Sequence, residues 1–134
     1  MIILVIRTDR PEAELYLYDG LKKLAEKKWQ AHRKLAETIH KKIKELLEGQ
    51  SLSEGLSFQD IEGIVCFAGP GSFTGLRIGL SVANALAYAQ NIPIVASAGD
   101  NWIEQGVNGL LAGKNDKIAL PIYGLPAATT SPKK

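Results

Sequence analysis

At positions 69–79 the chain reads Gly-Pro-Gly-Ser-Phe-Thr-Gly-Leu-Arg-Ile-Gly, directly after the apolar run Ile-Glu-Gly-Ile-Val-Cys-Phe-Ala at 61–68. Four turn-forming residues there break a buried strand and hand the chain to a helix predicted over 73–90. Asn91, Ile92 and Pro93 end that helix, and 94–96 reads as a short strand. A strand, a glycine-rich turn, a helix and a further strand make a βαβ unit, whose strands lie parallel with helices on the sheet. Within the helix, Gly75, Gly79, Ala83 and Ala87 recur every fourth residue as a stripe almost without side chains. Each helical glycine costs about 1 kcal/mol relative to alanine, so close approach of another backbone is expected to offset it. That backbone belongs either to this chain's own sheet or first helix, or to a second polypeptide.

The rest of the chain fits the same class. Residues 1–6 are continuously apolar and β-branched, as in a strand covered on both faces. Residues 13–18 alternate, as in a strand with one covered face. The Asp19-Gly20 pair predicts a hairpin whose two turn positions both need positive φ. Residues 21–29 are ambiguous: their spacing fits a helix, whereas the hairpin turn asks for a third strand. From Arg33, Leu35, Ile39, Ile43 and Leu46/Leu47 form one apolar stripe, with Gly49 as a left-handed cap at its end. Asp100 is expected to cap a brief helix ending at Gln105. Asn108-Gly109 and Asn115-Asp116 read as turns, 118–123 as an extended piece and 127–134 as a loose tail. The order β-β-β-α-β-α-β predicts a single α/β domain over 1–126 with a sheet of mixed direction.

Composition excludes several classes. With 46% hydrophobic and 22% charged residues in 134, the chain has the balance of a globular protein that needs no staples. One cysteine, Cys66, excludes a disulfide framework and reads as an inert core thiol. No apolar run reaches the ~18–20 residues of a membrane span, and the first ten residues lack the features of a secretory signal; a cytoplasmic location is expected. Net charge is +2, but residues 22–48 hold nine lysines and arginines against four glutamates. Such a segment is either a solvated face or, less simply, a nucleic-acid-binding surface with steep salt dependence.

Candidate chemistry is sparse. A glycine-rich strand-to-helix turn offers backbone N–H groups to a phosphate, with Gly69, Gly71, Ser72, Thr74 and Arg77 as the candidate loop. Yet no Gly-Lys-Ser/Thr follows, and the glycine spacing is not that of a dinucleotide fingerprint. The simpler reading is a tight turn capped by Ser72. His32 and His40 are too far apart to chelate one metal, and no carboxylate or thiol set surrounds them. Ser72 lacks a nucleophile elbow. No catalytic residue and no metal site are expected, and Trp29 and Trp102 read as packing residues.

The block at 69–79, set on a strand, loop and helix, resembles the most distinctive motif of the TsaB (YeaZ) family, the non-catalytic actin-like partner in threonylcarbamoyladenosine synthesis on transfer RNA. The opening strand and Asp-Gly hairpin, residues 31–48, Asn-Ile-Pro-Ile-Val at 91–95 and the 118–123 stretch are similar to the family in the same order. The resemblance implies a single actin-like (ribonuclease H-like) lobe and a strand at 21–28. It also implies a scaffold that pairs, through Leu35, Ile39 and Ile43 of the first helix and Gly75, Leu76, Gly79, Leu80 and Ala83 of the second, with a TsaD-type catalytic homologue or with itself. A TsaE-type ATPase completes that assembly, and transfer RNA is reached through the complex. Two departures stand out: the family has two actin-like halves, and its acidic-Thr-Ser triplet after the first strand is here Arg7-Thr8-Asp9. No cofactor is expected on the chain alone, with ATP or ADP taken only within the complex. The competing expectation is a nucleotide-binding enzyme, an ATPase or phosphotransferase, using the Gly69–Ser72 loop.

Overall fold

A computed structural model of the chain describes residues 1–49, 55–70 and 73–122, the side chains of His32 and Phe73 excepted. Five strands form one sheet: β1 (Ile2–Arg7), β2 (Glu12–Asp19), β3 (Lys22–Gln30), β4 (Gly63–Phe67) and β5 (Ile94–Ser97). Their spatial order is β3-β2-β1-β4-β5. The first three form an antiparallel meander, whereas β4 and β5 add in parallel beside β1. Three helices complete the chain, α1 (Leu35–Glu48), α2 (Phe73–Gln90) and α3 (Trp102–Leu111). The predicted α/β class and mixed sheet are the observed architecture, and 21–29 is a strand rather than a helix.

The register explains which side chains meet which helix. Leu4 and Ile6 of β1 lie beside Leu17 and Leu15 of β2 and beside Ile64 and Cys66 of β4. Side chains alternate along a strand, so these share one face with Thr8, the residue α2 packs upon. On that face Trp29 donates its indole N–H to Thr38 of α1 at 3.1 Å. Val65 and Phe67 point the other way, toward α3. All the apolar members of β1 from Ile3 to Ile6 are buried, as the continuous apolar run requires. Each buried leucine or isoleucine contributes roughly 1.5–3 kcal/mol.

Three local expectations are corrected. The hairpin turn uses Gly20 at φ +59, but Asp19 stays in the strand paired with Lys22, so positive φ is needed once rather than twice. Gly49 ends α1 at φ −75, not in the left-handed region; its N–H closes the helix on the Glu45 carbonyl. The third helix runs to Leu111 and carries Asn108-Gly109 inside it, with Asn101 rather than Asp100 at its start. Packing overrides propensity there, because Trp102, Val107 and Leu110 are buried and Gly106 lies against Val65, which a Cβ would approach to 2.4 Å. The 118–122 stretch lies outside helix and strand and is tied down at both Ala119 and Ile122. Tyr123 and the 127–134 tail lie outside the described residues.

The sheet's two edges are guarded differently. Along β3, lysines line the free edge, a common defence against edge-to-edge pairing. Beside β5, Asp116 donates its N–H to the Ile94 carbonyl at 2.8 Å, and its carboxylate accepts the Ala96 N–H at 2.8 Å. Asn115 accepts the Ile94 N–H. Two short polar side chains thus do the work of another strand.

Candidate functional site

The ends of β1 and β4 and the first turns of α2 converge at one end of the sheet. Thr8, only 2% exposed, donates its hydroxyl proton to the Gly75 carbonyl at 2.7 Å. A Cβ on Gly75 would lie 2.3 Å from the Thr8 carbonyl oxygen, and one on Gly79 would lie 2.1 Å from the Thr8 hydroxyl. Two turns of α2 therefore rest directly on the residue that follows β1. Ala83 and Ala87 continue the same buried line.

That geometry assigns the small-residue stripe to the chain's own interior. Leu76, Leu80 and Ala83 of α2 and Leu35, Ile39 and Ile43 of α1 are also buried in the core, so none of these side chains is displayed to a partner. The side chains expected to form a contact surface pack inward in this chain, where their apolar character is consumed by the core. Both helices show other residues outward. Ala36 of α1 and Thr74, Arg77, Ile78, Ser81 and Val82 of α2 line a groove of about 460 Å³, with Ile78 and Val82 half-buried in it. The signal was present in the sequence as Arg77, Ser81, Ala85 and Tyr88, a helical row offset from the glycine stripe.

The candidate phosphate loop is only partly placed. Gly69 is buried at φ +109, a conformation side chains rarely adopt, and precedes a cis bond to Pro70. Thr74 and Arg77 are exposed on the first turns of α2. Gly71 and Ser72 lie outside the described residues, and so does the proposed Ser72 cap. Ile122 donates its N–H to the Ala68 carbonyl at 2.7 Å, bringing the end of the described chain beside this turn.

Around the β1 end the charged groups pair among themselves, which spacing alone did not reveal. Arg7 binds Asp9 through two nitrogens, at 2.7 and 3.2 Å, and its guanidinium lies 3.9 Å from the centre of the Phe67 ring. Phe67 in turn meets Trp102 edge-on at 5.3 Å. Opposite Arg7 in the β1–β2 ladder stands Glu14, buried, which accepts from the Tyr16 hydroxyl at 2.6 Å and from Arg10. Burial, then this hydrogen bond and the carboxylate's charge, push the Tyr16 phenol well above its ordinary range. Burial alone pushes the Cys66 thiol up to about 12.

The basic segment 22–48 is laced with acid. Lys27 and Lys42 both reach Glu45, Lys23 and Lys28 reach Glu26, and Lys44 reaches Glu48. Lys27 and Lys23 respectively hold the Glu45 and Glu26 carboxyls below the usual carboxylate range. His40 stands exposed on α1, and among the described residues no three histidine, cysteine or acidic side chains gather as a metal set. No helix among the described residues is long and apolar enough to cross a membrane.

Comparison with known proteins agrees with this architecture. Residues 29–97 match the sequence model of a family described as "TsaD: tRNA N6-adenosine threonylcarbamoyltransferase". A tRNA N6-adenosine threonylcarbamoyltransferase of Geotalea uraniireducens (strain Rf4) is 42% identical over 97 residues, covering 70% of this chain and 26% of that protein. The tRNA threonylcarbamoyladenosine biosynthesis protein TsaB of Escherichia coli (strain K12) is 32% identical over 89 residues, covering 61% of this chain and 38% of its own. Among solved structures, YeaZ from Pseudomonas aeruginosa superposes with a TM-score of 0.63 at 24% identity, over 72% of this chain and 43% of that one. The chain thus spans between a quarter and two-fifths of the length of these two curated relatives. With the matched segment running from the end of β3 to the end of β5, through the glycine-rich turn and α2, the chain belongs to the TsaD/TsaB (YeaZ) family of transfer-RNA threonylcarbamoyladenosine modification.

Proposed function

We propose that this chain acts as a non-catalytic pairing lobe in threonylcarbamoyladenosine synthesis, binding a TsaD-type homologue or a second copy of itself across the outer faces of α1 and α2. The observation that carries this reading is the groove between those helices. Its floor is apolar at Ile78 and Val82, while Ser81 and the neighbouring Ala85 leave the exposed ridge of α2 low enough for another helix to approach. Contact by a TsaE-type ATPase, and access to transfer RNA, would follow through the paired complex. The chain's own residues near the glycine turn supply positioning rather than a reacting group.

Co-elution with the TsaD-type homologue of the same organism tests this directly. Ser81→Arg and Ala85→Arg each place a long cation on an exposed site, where surface changes usually alter stability by no more than ~0.5 kcal/mol. Each variant is expected to keep the wild-type melting curve and to lose pairing. Pairing retained by both variants, or a wild-type chain that associates neither with the homologue nor with itself, overturns the reading.

A further inference from the structure

The actin-like fold implies a nucleotide, with phosphates and a cation met at the turn after the first strand, and the residues present do not fit that group. Every polar side chain of the turn is already engaged. Arg7 is held by both oxygens of Asp9 and stacked on Phe67. The Thr8 hydroxyl is given to the Gly75 carbonyl, and Arg10 is given to Glu14. Asp9 and Glu14 are each only 6% exposed, so their charges are compensated inside the protein rather than by solvent.

We propose that Arg7 is a built-in cation: on the face it shares with Phe67 and Trp102, its guanidinium occupies the electrostatic role of a metal at the β1 end, so that the buried Asp9 carboxylate is compensated without nucleotide or divalent ion. Two acids and two arginines form a neutral cluster, with Arg7 opposite Glu14 across the strand ladder. A planar guanidinium suits the position because one face lies on an aromatic ring while its edge forks onto a carboxylate, which a hydrated divalent ion does not do. An incoming ion would have to displace Arg7 from Asp9, and an incoming phosphate would meet the Asp9 and Glu14 carboxylates. Arg7 is a positioning residue here, acting through Asp9 and Phe67. This inference concerns ligand independence and stands apart from the pairing proposal, which the co-elution experiment decides separately.

Calorimetry and thermal melting of the full chain with magnesium plus ATP, magnesium plus ADP, and manganese alone test it. The wild type is expected to give no binding heat and an unchanged melting temperature in all three. Arg7→Ala is expected to melt lower and to be partly restored by added guanidinium ion, which lowers the wild-type melting temperature. Arg7→Lys, which keeps the charge but loses the fork and the stack, is expected to fall between them. Micromolar binding of either nucleotide with a raised wild-type melting temperature overturns the proposal, as does an Arg7→Ala protein that melts like the wild type. Should Arg7→Ala fail to fold, the Arg7→Lys melt and the wild-type titrations carry the same decision.

Discussion

A methyl group added to Gly79 would sit 2.1 Å from the hydroxyl oxygen of Thr8, the same oxygen that donates to the Gly75 carbonyl. The glycine is therefore a contact, and Gly79→Ala should destabilise the fold despite alanine's better helix propensity. Overpacking of this kind costs about 1–3 kcal/mol, against a propensity gain of about 1 kcal/mol. Urea unfolding should show a lower midpoint, and Thr8→Ala in the same chain should recover part of the loss by removing the obstructing hydroxyl.

Gly75 separates side-chain from backbone obstruction. Its added Cβ would meet the Thr8 carbonyl oxygen at 2.3 Å, an atom no substitution at position 8 removes. Gly75→Ala should thus destabilise as much as Gly79→Ala or more, and Thr8→Ala should not relieve it. A double-mutant cycle in urea checks this: Thr8→Ala is expected to relieve Gly79→Ala but not Gly75→Ala, where the same substitution also removes the hydrogen bond to the Gly75 carbonyl. Equal relief at both positions would contradict the packing described for α2.

Tyr16 gives the fold an alkaline limit. Burial first, then the hydrogen bond and charge of Glu14, raise its folded pKa above the ordinary value of 10.0. Its contribution to stability is complete below the unfolded pKa and declines as pH rises beyond it, since the unfolded chain then releases a proton that the folded chain keeps. Stability measured against pH should fall above about 10, with the Tyr16 phenolate absorbance appearing only on unfolding. Tyr16→Phe should flatten that limb.

The sheet and two long helices were legible because their periodicities are strong and local: the run at 1–6, the stripe from Leu35 to Leu47, and the strand-to-helix break at Gly69. The third helix was cut short in the sequence reading because Gly106 and Gly109 look like stops. Only the sheet tells why Gly106 is tolerated, through Val65 pressed against it. The glycine stripe of α2 was visible, but its direction was not. Periodicity identifies a close contact without saying whether the neighbour is β1 of the same chain or another molecule. Nor could spacing reveal the Arg7–Asp9 pair, since it forms where the chain turns out of β1 and the guanidinium is held against the Phe67 ring, a contact made only in the folded chain.

Cys66 supplies a probe of the intact core. It faces the α2 side of β4, fully enclosed, and burial holds its thiol neutral by pushing its pKa up to about 12. Reaction with an alkylating reagent proceeds through the thiolate. The native protein at mildly alkaline pH should therefore resist labelling, and labelling should follow unfolding. Gly79→Ala, which loosens the helix over this strand, should label faster in proportion to its loss of stability.

Asp116 supports a last expectation, about the open edge of β5. Its carboxylate accepts the Ala96 N–H and its own N–H reaches the Ile94 carbonyl, while Asn84 exchanges two hydrogen bonds with Ala119, at 2.9 and 2.7 Å. Together they fasten 115–119 along the edge and against α2. In Asp116→Ala the Ala96 N–H loses its acceptor, at a cost of about 1–3 kcal/mol if it stays shielded from water and less if water replaces the carboxylate. Amide hydrogen exchange at Ala96 should accelerate selectively, while amides of β1, at the sheet's centre, slow down or speed up only with global stability. An edge so uncovered is a template for another strand, so concentrated Asp116→Ala should also self-associate more than the wild type by light scattering. Asn84→Ala should release Ala119 without touching β5, raising exchange at Ala119 but leaving Ala96 protected. If both substitutions expose Ala96 equally, the edge is held by the segment as a whole and not by the Asp116 carboxylate.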